Sequence, residues 1–228
     1  MTTSNRPLRP DPESPQLRPH HMTPSMTRAA TACDPTTAAR RLKQGGVALL
    51  PTDTNYALGC LPQDEAVCAR LYDIKQRPAE KPLTLFVRDA AEGMAYADLS
   101  PEEEVLFKDL AARFWPGPLN LIVSAGPKAP KHKYFDARTI SLVCNRNSAL
   151  RALLDAVDGP LAMTSANISG TTVDGLVSAA LAAELFGDRI EVFVPPVDSD
   201  AGTTQSSTIV SLVGGRLEVV RQGDVVVQ

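Results

Sequence analysis

Gly46-Val47-Ala48-Leu49-Leu50-Pro51-Thr52-Asp53-Thr54-Asn55-Tyr56-Ala57-Leu58-Gly59 is the stretch on which the reading of this chain turns. Val47–Leu50 is a short continuous apolar run, the pattern of a strand covered on both faces. It runs into a turn carrying two hydroxyls, a carboxylate and a phenol. Further along, Lys75-Gln76-Arg77-Pro78-Ala79-Glu80-Lys81-Pro82 follows a helical pattern and delivers cations to what the spacing predicts is the same edge. Together they suit a ligand with an amino-acid end and a polyphosphate end.

Working outward, strand and helix patterns alternate. Asp34 is placed to cap a helix that ends before Gly45-Gly46. Asp64–Gln76 carries Ala66, Val67, Leu71 and Ile74 at helical spacing, and Leu83–Val87 reads as a strand. Residues 101–114 read as a charged helix stopped by Pro116 and Pro118. Leu119–Val123 and Thr139–Val143 read as strands, and Ser148–Val157 as a helix with Ser148 as its cap. Leu161–Thr164 reads as a strand and Leu176–Phe186 as a helix. Ile190–Val194, Ser207–Leu212, Leu217–Arg221 and Val225–Val227 read as late strands. The pattern predicts one α/β domain with a mixed sheet over residues 33–228. Residues 1–32, rich in Pro, Thr, Ser and Arg, predict a disordered tail.

Bulk properties narrow the function. The 228 residues carry a net charge of −3, against a global basic field for gripping nucleic acid. The apolar runs are too short for a membrane span, and the start lacks the pattern of a secretory signal. Cys33, Cys60, Cys68 and Cys144 form no CxxC pair, so reduced thiols in a cytoplasmic protein are expected, with no tightly bound metal. Of three histidines, only His132 lies outside the predicted tail, which argues against a Ser-His-Asp or Cys-His mechanism. The motifs GxxxxGK[ST], GxGxxG and HExxH are absent.

Three constellations remain. Thr52, Thr54 and Tyr56 can bond a substrate carboxylate or hydroxyl, or can satisfy their own turn; Asp53 can hold an ammonium or cap that turn. Lys75 at a helix C-terminus is favourable for dipole reasons alone. Lys75, Arg77 and Lys81 together, fixed by Pro78 and Pro82, point to phosphate oxygens. Ser165-Ala166-Asn167-Ile168-Ser169-Gly170 permits close backbone approach to a ligand, or opens the next segment as a turn.

In order along the chain, Pro51-Thr52-Asp53-Thr54, Tyr56, Gly59, Lys75-Gln76-Arg77-Pro78, Trp115-Pro116-Gly117-Pro118-Leu119, Thr164–Gly170, Ser207-Thr208 and Arg221-Gln222-Gly223 resemble the YrdC/TsaC family of threonylcarbamoyl-AMP synthases. The similarity spans about residues 36–225. It implies a single YrdC-like domain: an open twisted mixed sheet with helices on its faces and a positively charged concave surface. The implied reaction condenses L-threonine, bicarbonate and ATP to threonylcarbamoyl-AMP and pyrophosphate, with Mg²⁺ accompanying ATP. A separate tRNA threonylcarbamoyl transferase complex would act downstream, so stable tRNA binding is not expected.

By the same resemblance, Thr52, Thr54 and Tyr56 match the threonine-binding turn. Lys75 and Arg77 match the catalytic cations. Ser165, Asn167, Ser207, Thr208 and Arg221 match further positions of the nucleotide site, and Lys81 joins that nucleotide-binding set from its place in the cation cluster. The chain departs from the family pattern in two places. The usual Tyr-Gly-Leu-Gly is Tyr56-Ala57-Leu58-Gly59, as in the YciO paralogues. The usual Val-Arg-x-Pro is Leu142-Val143-Cys144-Asn145, with Arg138 and Arg146 as the nearest stand-ins. Two alternatives accompany the main reading: carbamoyl-AMP chemistry from carbamoyl phosphate, and a non-catalytic regulatory protein binding double-stranded RNA.

Overall fold

Alternation along the strands sets the architecture in the computed structural model, which describes residues 31–170, 176–196 and 203–228. Ten strands form one sheet among those residues. They are β1 (Thr31–Ala32), β2 (Ala48–Leu50), β3 (Ala57–Cys60), β4 (Thr84–Phe86), β5 (Leu119–Ser124), β6 (Thr139–Val143), β7 (Leu161–Ser165), β8 (Val192–Phe193), β9 (Thr208–Ser211) and β10 (Glu218–Arg221). Their order is β1-β8-β2-β3-β7-β4-β6-β5-β9-β10. The β1/β8, β2/β8, β4/β6 and β5/β9 pairs are parallel and the others antiparallel, so the sheet is mixed as expected.

Six helices among the described residues connect them: α1 (Pro35–Lys43), α2 (Glu65–Lys75), α3 (Ala90–Ala95), α4 (Pro101–Phe114), α5 (Ser148–Val157) and α6 (Ala179–Phe186). Local chemistry fixes their ends. Asp34 accepts from Thr37 N at 3.0 Å and Asp64 from Val67 N at 3.1 Å, satisfying first-turn donors. Ser100 and Glu103 form a reciprocal capping box at α4. Gln76 turns left-handed with φ 53° after α2, and Arg77 N bonds back to Tyr72 O at 2.9 Å. That turn redirects Arg77 toward the sheet.

One face of the sheet presents Leu49, Leu58, Leu85, Leu121, Leu142 and Val210 to a core shared with α2, α4 and α6. On the other face, Ala48, Leu50, Leu161 and Met163 pack under α1 and α5. These two helices cover only half of that face. Across β4, β6, β5 and β9 the alternate positions are Thr84, Phe86, Ser141, Asn120, Ile122 and Ile209, and no helical residue among those described lines the space above them.

Several expectations need correction. The α5 cap is Asn147, whose Oδ1 accepts from Leu150 N at 3.1 Å, and Ser148 is the first helical residue. The α6 helix starts at Ala179 behind Ser178, three residues later than the apolar pattern suggested. Val225–Val227 is not a strand: the Val225 carbonyl is taken by Thr208 Oγ1 and Gln222 Nε2, at 2.7 and 2.8 Å. Strand β3, read as part of a turn, is wedged between β2 and β7. Short helix α3 also escaped the sequence pattern. The predicted tail falls mostly on residues 1–30, outside the described residues, while Thr31–Ala32 pair with Val192–Phe193.

Candidate functional site

The uncovered half-face is a cavity of ≈330 Å³. Its floor is strand-borne. Thr84 Oγ1 and Asn120 Nδ2 both reach Ser141 Oγ, at 3.3 and 3.4 Å, so three adjacent strands carry a loosely bonded polar row. Asn120 is 8% exposed. Phe86, Ile122, Met163 and Ile209 flank the row. The site therefore lies on the concave face of the sheet and not only beyond strand ends.

The turn before β3 forms one wall. Thr52 Oγ1 donates to Asn55 O at 2.6 Å and accepts from Thr54 N at 3.1 Å, so the two threonines brace each other and both border the cavity. Asp53 is buried beneath them, and both its carboxylate oxygens accept from Arg146 N, at 3.0 and 3.1 Å. It pins the turn to the segment after β6. Tyr56 points the other way: its hydroxyl donates to Val194 O at 2.8 Å and it does not line the cavity. Burial pushes its phenol well above the ordinary range.

The cations separate into different roles. Arg77 lines the cavity and is held as a fork, with Nη1 on Thr164 Oγ1 at 3.0 Å, Nε on Lys81 O at 2.9 Å and Nη2 on Pro82 O at 2.8 Å. Lys75 is only 2% exposed and does not line the cavity. Its ammonium donates to Ser165 O, to Asn167 O at 2.9 Å and to Asn167 Oδ1 at 3.0 Å. It thus binds the Ser-x-Asn segment from behind. Burial, then the Arg77 and Lys81 charges, pull its pKa down to about 7. Lys81 is exposed and contributes its carbonyl to Arg77 and Tyr72, while its side chain is outside the cavity lining.

Ser165, Ser207 and Arg221 line the cavity. Ser165 Oγ donates to Asn167 Oδ1 at 2.6 Å, which ties Asn167 into the wall from outside. Arg221 Nε and Nη2 donate to Ser207 O at 2.9 and 2.7 Å, and desolvation lowers its pKa. Thr208 is fully buried, bridging Val225 O and Gly223 N, and does not reach the cavity. The structure thus brings Thr52, Thr54, Arg77, Ser165, Ser207 and Arg221 to one space. Lys75 and Asn167 stand directly behind it; Tyr56, Lys81 and Thr208 lie elsewhere.

Asn55, Thr84, Asn120, Ser141 and Ser206 border the cavity without having been singled out. A signal for three of them was present: Thr84, Asn120 and Ser141 are each a polar residue set between apolar neighbours in a strand pattern, the mark of a face that is not wholly buried. Neither stand-in arginine reaches the cavity: Arg146 is drawn to Asp53, and Arg138 is exposed. Val143 is buried in β6, paired with Phe86. His132 lies remote, its Nε2 at 2.8 Å from Pro62 O.

Residues 40–223 match the sequence model of the Sua5/YciO/YrdC family, whose description reads "Telomere recombination". The chain belongs to the Sua5/YciO/YrdC family. A threonylcarbamoyl-AMP synthase of Vibrio vulnificus is 33% identical over 174 residues, covering 73% of this chain and 92% of the relative. Another, of Pyrococcus abyssi, is 30% identical over 186 residues, covering 82% of this chain but 53% of the relative. Set beside that relative, the chain spans about half its length.

Among solved structures, P. abyssi Sua5 complexed with L-threonine superposes with a TM-score of 0.69 at 30% identity, covering 78% of this chain and 50% of that one. E. coli YciO superposes with a TM-score of 0.72 at 25% identity, covering 83% and 89%. The family's domain accordingly accounts for the fold over nearly all the described residues. Within them, no helix is long and apolar enough to cross a membrane.

Proposed function

We propose that the protein is an L-threonylcarbamoyladenylate synthase, a nucleotidyltransferase that condenses L-threonine, bicarbonate and ATP and releases pyrophosphate. The observation that carries the reading is the concave cavity in which a threonine-pair turn, a forked arginine and the Ser-x-Asn wall converge, in a chain matching threonylcarbamoyl-AMP synthases over most of its length.

In this reading threonine, as its carbamate, attacks the α-phosphorus of ATP through a carbamate oxygen. The new O–P bond forms as the bond from the α-phosphorus to the bridging oxygen breaks, and pyrophosphate departs. Arg77 and Arg221 offset charge on the phosphates. Thr52 and Thr54 orient the amino acid. Lys75 holds the Ser165–Asn167 wall in register, so that positioning supplies much of the rate.

The cavity lining holds no carboxylate among the described residues, so it does not suit a protein-held Mg²⁺. The ion is proposed to arrive on ATP. The product would pass to a tRNA threonylcarbamoyl transferase complex in the cytoplasm. The deciding experiment is pyrophosphate release from ATP and bicarbonate, with and without L-threonine, on purified protein. Threonine-dependent release with a product of threonylcarbamoyl-AMP mass is expected. Release indifferent to threonine overturns the reading.

A further inference from the structure

Asn55 and Ser206 each lie two residues before a strand, β3 and β9 respectively. The sheet order β3-β7-β4-β6-β5-β9 puts five steps between those strands. β9 runs antiparallel to β3, so a flat sheet would put their leading ends at opposite edges and more than ~24 Å apart, at ~4.8 Å per step. The four Cα–Cα steps between the strand ends and these two residues, two on each side, span at most ~14 Å. Yet Asn55 Nδ2 donates to Ser206 Oγ at 3.0 Å. Twist alone turns the strands without shortening that separation, so the bond requires the sheet also to curl across these strands and close the two walls over the cavity.

The bond is fixed from both sides. Asn55 Oδ1 accepts from Val177 N at 2.9 Å, which sets the amide so that Nδ2 faces Ser206. Asp224 grips the segment carrying Ser206 through Thr204 N at 2.6 Å, Thr204 Oγ1 at 2.8 Å and Gln205 N at 3.2 Å. Thr203 Oγ1 adds a second tie, to Asp53 O. The next residue, Ser207, holds the Arg221 guanidinium through its carbonyl. A connected path therefore runs from Asn55 through Ser206 and Ser207 to the cavity arginine on β10.

We propose that Asn55 is a positioning residue that clasps the two cavity walls together through Ser206 and so holds Ser207 and Arg221 ready for the nucleotide. The choice of ATP as the ligand rests on the synthase reading. A wall ordered before binding avoids the cost of ordering it on binding. Loss of the clasp is therefore read mainly in affinity. One neutral hydrogen bond corresponds to about a 3- to 10-fold change.

The test is a double-mutant cycle of Asn55→Ala, Ser206→Ala and the pair, read as the Kd for ATP, with KM and kcat for pyrophosphate release measured in parallel. Each single variant is expected to weaken ATP about 3- to 10-fold, with KM rising more than kcat falls. The pair should be no worse than the weaker single variant, and Ser206→Thr, which keeps the hydroxyl, should recover most of the affinity. Two side chains touching ATP independently would instead multiply their effects; that result, or unchanged affinity in both singles, overturns the proposal.

Amide exchange on the ligand-free proteins separates this from a failure of the functional reading. Ser206→Ala should speed exchange across residues 203–208 and leave β6 unchanged. If the wild type binds no ATP, the synthase reading fails, and unchanged exchange in that segment then refutes the clasp by itself.

Discussion

Lys75→Met removes a cation that the fold has enclosed. Its ammonium donates hydrogen bonds to the Ser165 and Asn167 carbonyls and to Asn167 Oδ1. Methionine restores most of the volume but none of the donors. Asn167 Oδ1 keeps its bond from Ser165 Oγ at 2.6 Å, so two carbonyls lose a charged donor. Each costs about 1–3 kcal/mol if left unsatisfied. Relief of the ammonium's own desolvation, which pulls its pKa down to about 7, offsets part of that. A net loss of about 3 kcal/mol follows, lowering Tm by roughly 6–12 °C in a chain of this size. If the loss resides in the wall geometry needed for turnover, it corresponds to roughly 100-fold in kcat/KM. Differential scanning fluorimetry and a coupled pyrophosphate assay read the two quantities. A variant within 2 °C of wild-type Tm and within threefold of its kcat/KM, as rough thresholds set against those magnitudes, would refute the argument.

Arg77→Ala should raise KM for ATP at least about tenfold while costing only about 1–2 kcal/mol in chemical denaturation, because the fork is partly exposed; an unchanged KM removes Arg77 from phosphate binding. Tyr56→Phe should lower stability by about 1–2 kcal/mol through the lost bond to Val194 O, and a threonine KM raised manyfold would contradict its placement outside the cavity. Asn120→Leu should raise a substrate KM about tenfold with little change in Tm, by leaving Ser141 short of a partner on the floor; wild-type kinetics would show the polar row to be idle. The pH dependence follows from Lys75. Its folded pKa of about 7 lies below the ordinary 10.5, so between those values the unfolded chain binds the extra proton. The group's contribution to stability therefore rises with pH across that window and is lowest below about 7. Activity that needs the ammonium should fall as pH rises through about 7, and a flat kcat/KM profile across the window would exclude that need.

Much of the framework was legible because local rules decide it. Asp34 and Asp64 mark helix starts through short-range side-chain bonds, and Pro116 and Pro118 mark an end. Those interactions are complete within a few residues. Failures occurred where a distant partner intervened. β3 is a strand because β2 and β7 lie on either side of it, and Val225–Val227 is not, because side chains from other turns take the Val225 carbonyl.

The same division runs through the site. Sequence by itself determined which residue types cluster there: the paired threonines, the cations after α2, the Ser-x-Asn turn. It did not determine which way they face. Tyr56 and Thr52 share one turn, yet Tyr56 is drawn into the core by Val194 O while Thr52 borders the cavity. Lys75 and Arg77 are two residues apart, yet the left-handed turn at Gln76 sends Lys75 behind the wall and Arg77 into it. The floor of Thr84, Ser141 and Asn120 exists only because α1 and α5 cover half of one face. Burial and hydrogen-bond satisfaction are properties of the assembled sheet, and only its pairing and twist could fix them.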